Sequence, residues 1–286
     1  MPAIDSPQSF ASVGSNRIAY RRVGSGDALL LVHGWPLNGH TWRHLLPALS
    51  EHFTCIVPDL LGAGDTEWTG KTDFTFRGQA ATLQKLIDGL GLTSYSILAH
   101  DTGGTISRQL ALIDGTRVKR LTLIDTEIPF HRPPWVVPFQ KMSYLPGSNL
   151  SFRTLVRSRW FRRSSMGLGG LFCDRALLDG EFHELFIAPL IASSHRMEGQ
   201  IHYLRGIDWD LVDGLAARHR EITVPVQLIW GEDDHVFPIE RGREIVTQLA
   251  NCVGLTPIAG AALLPHEEQP KLVMDAVLPF LRGERE

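Results

Sequence analysis

Short apolar runs alternate along this chain with longer stretches whose apolar residues recur at helical spacing, and the alternation predicts its elements. Ala28 to Val32, Thr54 to Val57, Tyr95 to Leu98 and Leu121 to Ile124 are runs of strand length. Trp42 to Leu49, Phe76 to Leu90 and Gly104 to Ile113 carry the period of helices. Continuous apolar strands separated by helices predict a parallel sheet covered on both faces. Before them, Phe10 to Val13 and Arg17 to Val23 flank Gly14-Ser15-Asn16 and read as a hairpin.

Past Pro129 the strand signal stops. Residues 128–218 contain the proline-rich HRPPWVVP and many arginines and aromatics in helical patterns, which predicts an inserted helical segment. Val224 to Trp230 then resumes as a strand, Arg241 to Ala250 as a helix, Cys252 to Ile258 as a last strand and Lys271 to Leu281 as a closing helix. The expected organisation is a discontinuous sheet domain, 1–127 and 219–286, around a helical cap at 128–218.

Composition mainly excludes. The 286 residues are 43% hydrophobic and 21% charged, and a net charge of -3 gives no electrostatic reason for a nucleic-acid partner. MPAIDSPQSF lacks a basic stretch followed by an apolar one, and no apolar run reaches the ~18 residues of a membrane span. A cytoplasmic protein without a membrane partner is expected. Cys55, Cys173 and Cys252 form no CxxC pair, so they read as inert thiols.

The chemistry concentrates in SILAHDTGGTIS, where an apolar run breaks into Asp101-Thr102-Gly103-Gly104 and then a helical stretch. A strand, a tight turn and a helix with a reactive side chain at the turn form a nucleophile elbow. A carboxylate there attacks an electrophilic carbon and becomes a covalent alkyl ester that water must break. With HGWP at 33–36, DLLGAGDT at 59–66, AHDTGG at 99–104 and WGEDDHVFP at 230–238, the chain resembles the α/β-hydrolase superfamily. Asp101 narrows the resemblance to its aspartate-nucleophile branch, the epoxide hydrolases and dehalogenases. The implied fold is a mostly parallel eight-stranded sheet with helices on both faces and an inserted helical cap.

The resemblance also implies roles. The amides of Trp35 and Thr102 would form the oxyanion hole, with Pro36 often cis in this motif. Asp234 is the favoured acid and Asp125 the alternate, while Asp233 and Glu127 read as surface or hydrogen-bonding groups. Tyr203 and Tyr144 match the two cap tyrosines that donate to an epoxide oxygen, and His202 and His131 read as packing or surface residues. The water-activating histidine is expected at position 262, yet the chain reads Gly260-Ala261-Ala262-Leu263-Leu264-Pro265-His266. Ala262 offers neither base nor donor, and His266 reads as a structural or surface residue. A substitution made to trap the ester would leave this signature, as would drift to a non-hydrolytic role.

Haloalkane dehalogenases usually place an Asn at position 35 and a Trp at 102, whereas this chain has Trp35 and Thr102. Haloacid enzymes place arginines just after the nucleophile, where Thr102 and Thr105 stand here, and Arg108 lies a turn further on. Arg153, Arg157, Arg159, Arg162 and Arg163 read as a solvated helix face. The expected activity is therefore opening of a small or medium apolar epoxide through an ester on Asp101, with its hydrolysis impaired. The alternatives are a haloalkane or haloacid dehalogenase, with Trp135 or Trp160 holding halide, and a pseudo-enzyme that only binds its ligand. Trp35, Trp135 and Trp160 are the expected substrate-binding residues. No cofactor or metal is implied, and a homodimer is an open option.

Overall fold

In the computed structural model, which describes residues 7–284, the strands β1 Ser9–Val13, β2 Asn16–Val23, β3 Asp27–Val32, β4 Phe53–Pro58, β5 Tyr95–His100, β6 Val118–Ile124, β7 Val226–Gly231 and β8 Cys252–Ile258 form one sheet. Residues 1–6, on which the N-terminal reading largely rests, lie outside the described part. The strand order is β1-β2-β4-β3-β5-β6-β7-β8, with β1–β2 and β2–β4 antiparallel and every later pairing parallel. This is the predicted mostly parallel eight-stranded sheet.

Successive residues of β3 divide between the faces, as strand geometry requires. Leu30 and Val32 pack on one side with α2 Phe76–Gly89 and α3 Thr102–Asp114. Leu29 and Leu31 pack on the other with Trp42, α1 Leu46–Ser50 and the closing helix, described below, through Val273, Val277 and Phe280. Both faces are therefore buried, which explains why the strands read as continuous apolar runs. The expected helix Trp42–Leu49 is instead a 3₁₀ turn, Gly39–Trp42, followed by the short α1. Asn38 caps that turn by accepting from the His40 amide, and Pro47 restarts the helix in its first turn. β7 begins at Val226 rather than Val224 because Pro225 has no N–H for the ladder.

Between β6 and β7 the chain is helical: α4 Val136–Ser143, α5 Ser148–Arg157, α6 Arg159–Arg163, α7 Ala188–Ala192, α8 Ser194–Arg205 and α9 Trp209–Arg218. After β7 come α10 Ile239–Gln248, α11 Pro265–Glu268 and the closing α12 Pro270–Leu281. Among the described residues no helix is long and apolar enough to cross a membrane.

Candidate active site

The turn from β5 into α3 holds Asp101 at φ 52° and ψ -130°. A residue with a Cβ is strained there, and the same geometry presents its side chain beyond the strand end. Two glycines make room. A Cβ on Gly34 would collide with the Asp101 carboxylate, and one on Gly103 with the carbonyls of Val32 and His33. The Asp101 amide donates to Asp125 O at 2.9 Å and Thr126 Oγ1 donates to Asp101 O at 2.9 Å, which ties the turn to the end of β6.

The amides of Trp35 and Thr102 both donate to the Asp101 carboxylate, that of Trp35 at 2.9 Å from Oδ2. The Trp35–Pro36 peptide is cis. Thr102 Oγ1 donates to the same carboxylate oxygen at 3.3 Å and lies 2.8 Å from Tyr203 Oη. With the threonine proton so directed, the tyrosine O–H is the donor of that second bond. Burial raises the Asp101 pKa above the usual carboxylate range, the negative charge of Glu127 adds to the rise, and the amides oppose it. Burial also raises Tyr203, which keeps its proton.

A cavity of about 1190 Å³, counting its mouth, lies between the sheet and the inserted helices, with Asp101 and Thr102 in its wall. Trp35, Trp135, Phe139, Phe152, Phe182, Phe186, Leu190 and Phe237 make it apolar, and Glu127, Gln200 and Arg162 are further polar residues of its lining. Trp35 Nε1 donates to Gln200 O at 3.0 Å, so this indole N–H is already engaged.

Asp234 and Asp125 lie behind the cavity as one pair. Asp234 Oδ1 accepts from the Val236 and Phe237 amides at 2.7 and 3.1 Å, and Asp125 accepts from the Gly231 amide at 3.0 Å. Asp234 Oδ2 is buried without a hydrogen-bond partner, and the two carboxyls are close enough for each to perturb the other's protonation. Burial raises both pKa values, that of Asp234 to about 7, and their mutual repulsion raises Asp125 further.

Several sequence expectations need correction. Ala262 is not the residue of its loop that reaches the cavity: its amide is held by Glu268 Oε2 at 2.8 Å, and the next residue, Leu263, lines the wall. The loop therefore offers the cavity an isobutyl group. His266 is buried, with Nε2 2.7 Å from Thr41 Oγ1 and its ring stacked on Trp42, so it is structural and not a surface residue. Tyr144 is 63% exposed at the end of α4, with the Arg205 guanidinium over its ring, and Trp160 is 77% exposed; neither lines the cavity. Both sit on faces of the inserted helices that turn away from Asp101. Arg162 is buried and lines the cavity, and it donates to the carbonyls of Val156 and Arg157 that end α5. Arg159 and Arg163 pair with Asp179 at the surface, as a solvated face would.

His202 lies against Trp68 and Phe74, and His131 Nε2 is 2.7 Å from Val236 O. Arg108 is buried beneath the elbow and bonded to Thr105, Thr126 and the Glu127 carbonyl, so it does not line the cavity. Glu127, Gln200 and Leu263 are among the cavity residues that sequence reasoning did not assign to the site. For Glu127 the available signal was its place just past a strand end, where side chains gather at the mouth of such sheets.

Comparison with known proteins agrees with this architecture. Residues 27–268 match the family model of the alpha/beta hydrolase fold. A soluble epoxide hydrolase of Corynebacterium is 28% identical over 94% of this chain and 95% of its own. A cis-3-alkyl-4-alkyloxetan-2-one decarboxylase of Shewanella oneidensis is also 28% identical, over 80% of this chain and 74% of its own. Among solved structures, epoxide hydrolase CorEH without ligand superposes with a TM-score of 0.80 at 22% identity, covering 98% of this chain and 99% of that one. From the matched span, the sheet order and the elbow, the chain is a hydrolase that belongs to the α/β-hydrolase fold family.

Proposed function

We propose that this protein opens an apolar epoxide by forming an alkyl ester on Asp101. The observation that carries the reading is a strained carboxylate, held by the amides of Trp35 and Thr102, in the wall of an otherwise apolar cavity. One Asp101 oxygen attacks a ring carbon as the ring C–O bond breaks, and the freed oxygen takes a proton. Thr102 Oγ1, in the cavity wall, gives that proton, Tyr203 behind it replaces it through their hydrogen bond, and solvent reprotonates the tyrosine. The inserted helices act as the cap that keeps water from the bound epoxide. Water then attacks the ester carbonyl, and the Trp35 and Thr102 amides stabilise the resulting oxyanion.

Release is the weak half. With Leu263 at the cavity wall and Ala262 behind it, no imidazole of this loop activates water, so the ester accumulates during turnover. The relative named as a soluble epoxide hydrolase supports the substrate class. Dehalogenation is the weaker reading, because of the two tryptophans expected to hold a halide Trp160 is exposed and only Trp135 lines the cavity, while the Trp35 N–H is bonded to Gln200 O. The test is intact-mass measurement after incubation with apolar epoxides and matched haloalkanes, with peptide mapping. An adduct on Asp101 from epoxides, followed by diol, is expected. Halide release from the haloalkanes without epoxide adducts supports a dehalogenase instead, and no adduct from any electrophile leaves a ligand-binding protein.

A further inference from the structure

One buried carboxylate in the same cavity has no part in the chemistry described so far. Glu127 is 1% exposed and shares the wall with Asp101 and Thr102. Its Oε2 accepts from Thr105 Oγ1 at 2.6 Å and lies 3.3 Å from Thr126 Oγ1. Thr126 Oγ1 gives its proton to the Asp101 carbonyl oxygen at 2.9 Å, so this hydroxyl sits between the two acidic residues. Behind them the Arg108 guanidinium donates to Thr105, Thr126 and the Glu127 carbonyl, and supplies the positive charge that lets a buried carboxylate stay ionised. Among the described residues no side chain hydrogen-bonds to Glu127 Oε1, and the residue's own amide supports the carboxylate, so Oε1 keeps acceptor capacity for a molecule in the cavity.

We infer that Glu127 is the general base that activates water against the Asp101 ester, in the place an imidazole would otherwise fill. The inference rests on the reading of Asp101 as the alkylated nucleophile. Glu127 takes a proton from water as the water oxygen bonds to Asp101 Cγ, and the carbonyl electron pair moves onto the oxygen held by the two amides. The pair then returns, the bond from Cγ to the alkoxy oxygen breaks, and the departing alkoxide takes the proton back from Glu127. Asp101 is left as the free acid and loses its proton to solvent, which balances the one taken up when the ring opened.

The groups facing Glu127 are Asp101 at the elbow, Arg108 on α3 with His219 behind it, and Tyr203 on α8. Once Asp101 is esterified it carries no charge, so the repulsion that opposes an ionised Glu127 is gone. Burial raises the Glu127 pKa, with Thr105 and Arg108 opposing, and that moves its basicity toward what water activation needs.

The experiment preforms the ester with an aryl epoxide, removes the excess by rapid gel filtration and follows loss of the added mass. Glu127→Gln, which keeps the shape and the threonine bonds, is expected to form the ester but release it at least ~10²-fold more slowly. Glu127→Ala is expected to regain release when formate is added, which a purely structural residue would not allow. Wild-type release is expected to rise with pH as Glu127 ionises and then level off. Ester that forms in wild type and Glu127→Gln and decays equally in both overturns this inference alone. Should Glu127→Gln not fold, release from the wild-type ester that is independent of pH from 4 to 9 overturns it equally. No ester in wild type with any epoxide overturns the underlying reading, and this inference with it.

Discussion

Thr102 does two jobs at one residue. Its amide donates to the Asp101 carboxylate and its hydroxyl connects that carboxylate to Tyr203, so the carboxylate and the phenol are joined by a chain of two hydrogen bonds. Tyr203→Phe removes the terminal donor and is expected to slow ester formation by on the order of 10²-fold. Tyr144→Phe, on the surface, is expected to change nothing, and rapid-quench mass measurement of both variants decides between the two tyrosines. The loop opposite allows a gain of function. The carbonyls of Ala261 and Ala262 pack on the turn from Gly231 to Asp234, which brings the Leu263 side chain to the cavity on the side of the acid pair. Leu263→His is expected to speed ester release by roughly 10-fold to 10²-fold, whereas Ala262→His is not. Equal acceleration by the two would show that the cavity-facing position has been misplaced.

At the level of elements, the elbow depends on two approaches that only glycine permits. Gly103 abuts the backbone at the end of β3, where no flexible side chain can move aside, so Gly103→Ala must displace either α3 or that strand end. A loss of about 1–3 kcal/mol is expected, read as a fall of several degrees in melting temperature together with slower alkylation of Asp101. The strands and most helices of the sheet domain were legible because each follows one period and both faces of the sheet are covered. The inserted helices were legible only as helical. Which of their faces meets the cavity depends on how they dock, so Trp160 looked equivalent to the cavity-lining Trp135, and the exposed Tyr144 to Tyr203, which is buried behind Thr102 and does not line the cavity itself. The candidate site was legible where a motif fixes the backbone, as at Trp35, Asp101 and Thr102, which meet in the cavity wall. It failed at Leu263, where an offset of one residue in a loop exchanges a cavity side chain for a buried amide.

At the scale of the whole molecule, the carboxylates Asp101, Asp125, Glu127 and Asp234 are buried in and behind the cavity wall, and every one of them is pushed above its usual pKa first by burial. Such a group binds a proton in the folded chain at pH values where the unfolded chain has lost it, so its contribution to stability falls as pH rises. For Asp234 the window runs from the ordinary 3.8 to about 7. At ~1.4 kcal/mol per pKa unit the upper bound on that loss is about 4 kcal/mol, shared with Asp125 because the two acids titrate together. The buried histidines act in the opposite direction. His33, His100, His219 and His266 have lowered pKa values through burial, so the unfolded chain binds their protons more readily and stability rises with pH through the histidine range. The melting profile of the wild type therefore mixes two slopes, and the difference between variants isolates one of them. Asp234→Asn places an amide beside Asp125 that needs no bound proton, so its melting temperature relative to wild type is expected to climb between pH 5 and 8. A difference that stays flat across that range would mean that the pair holds no proton in the folded protein and that another cation neutralises it.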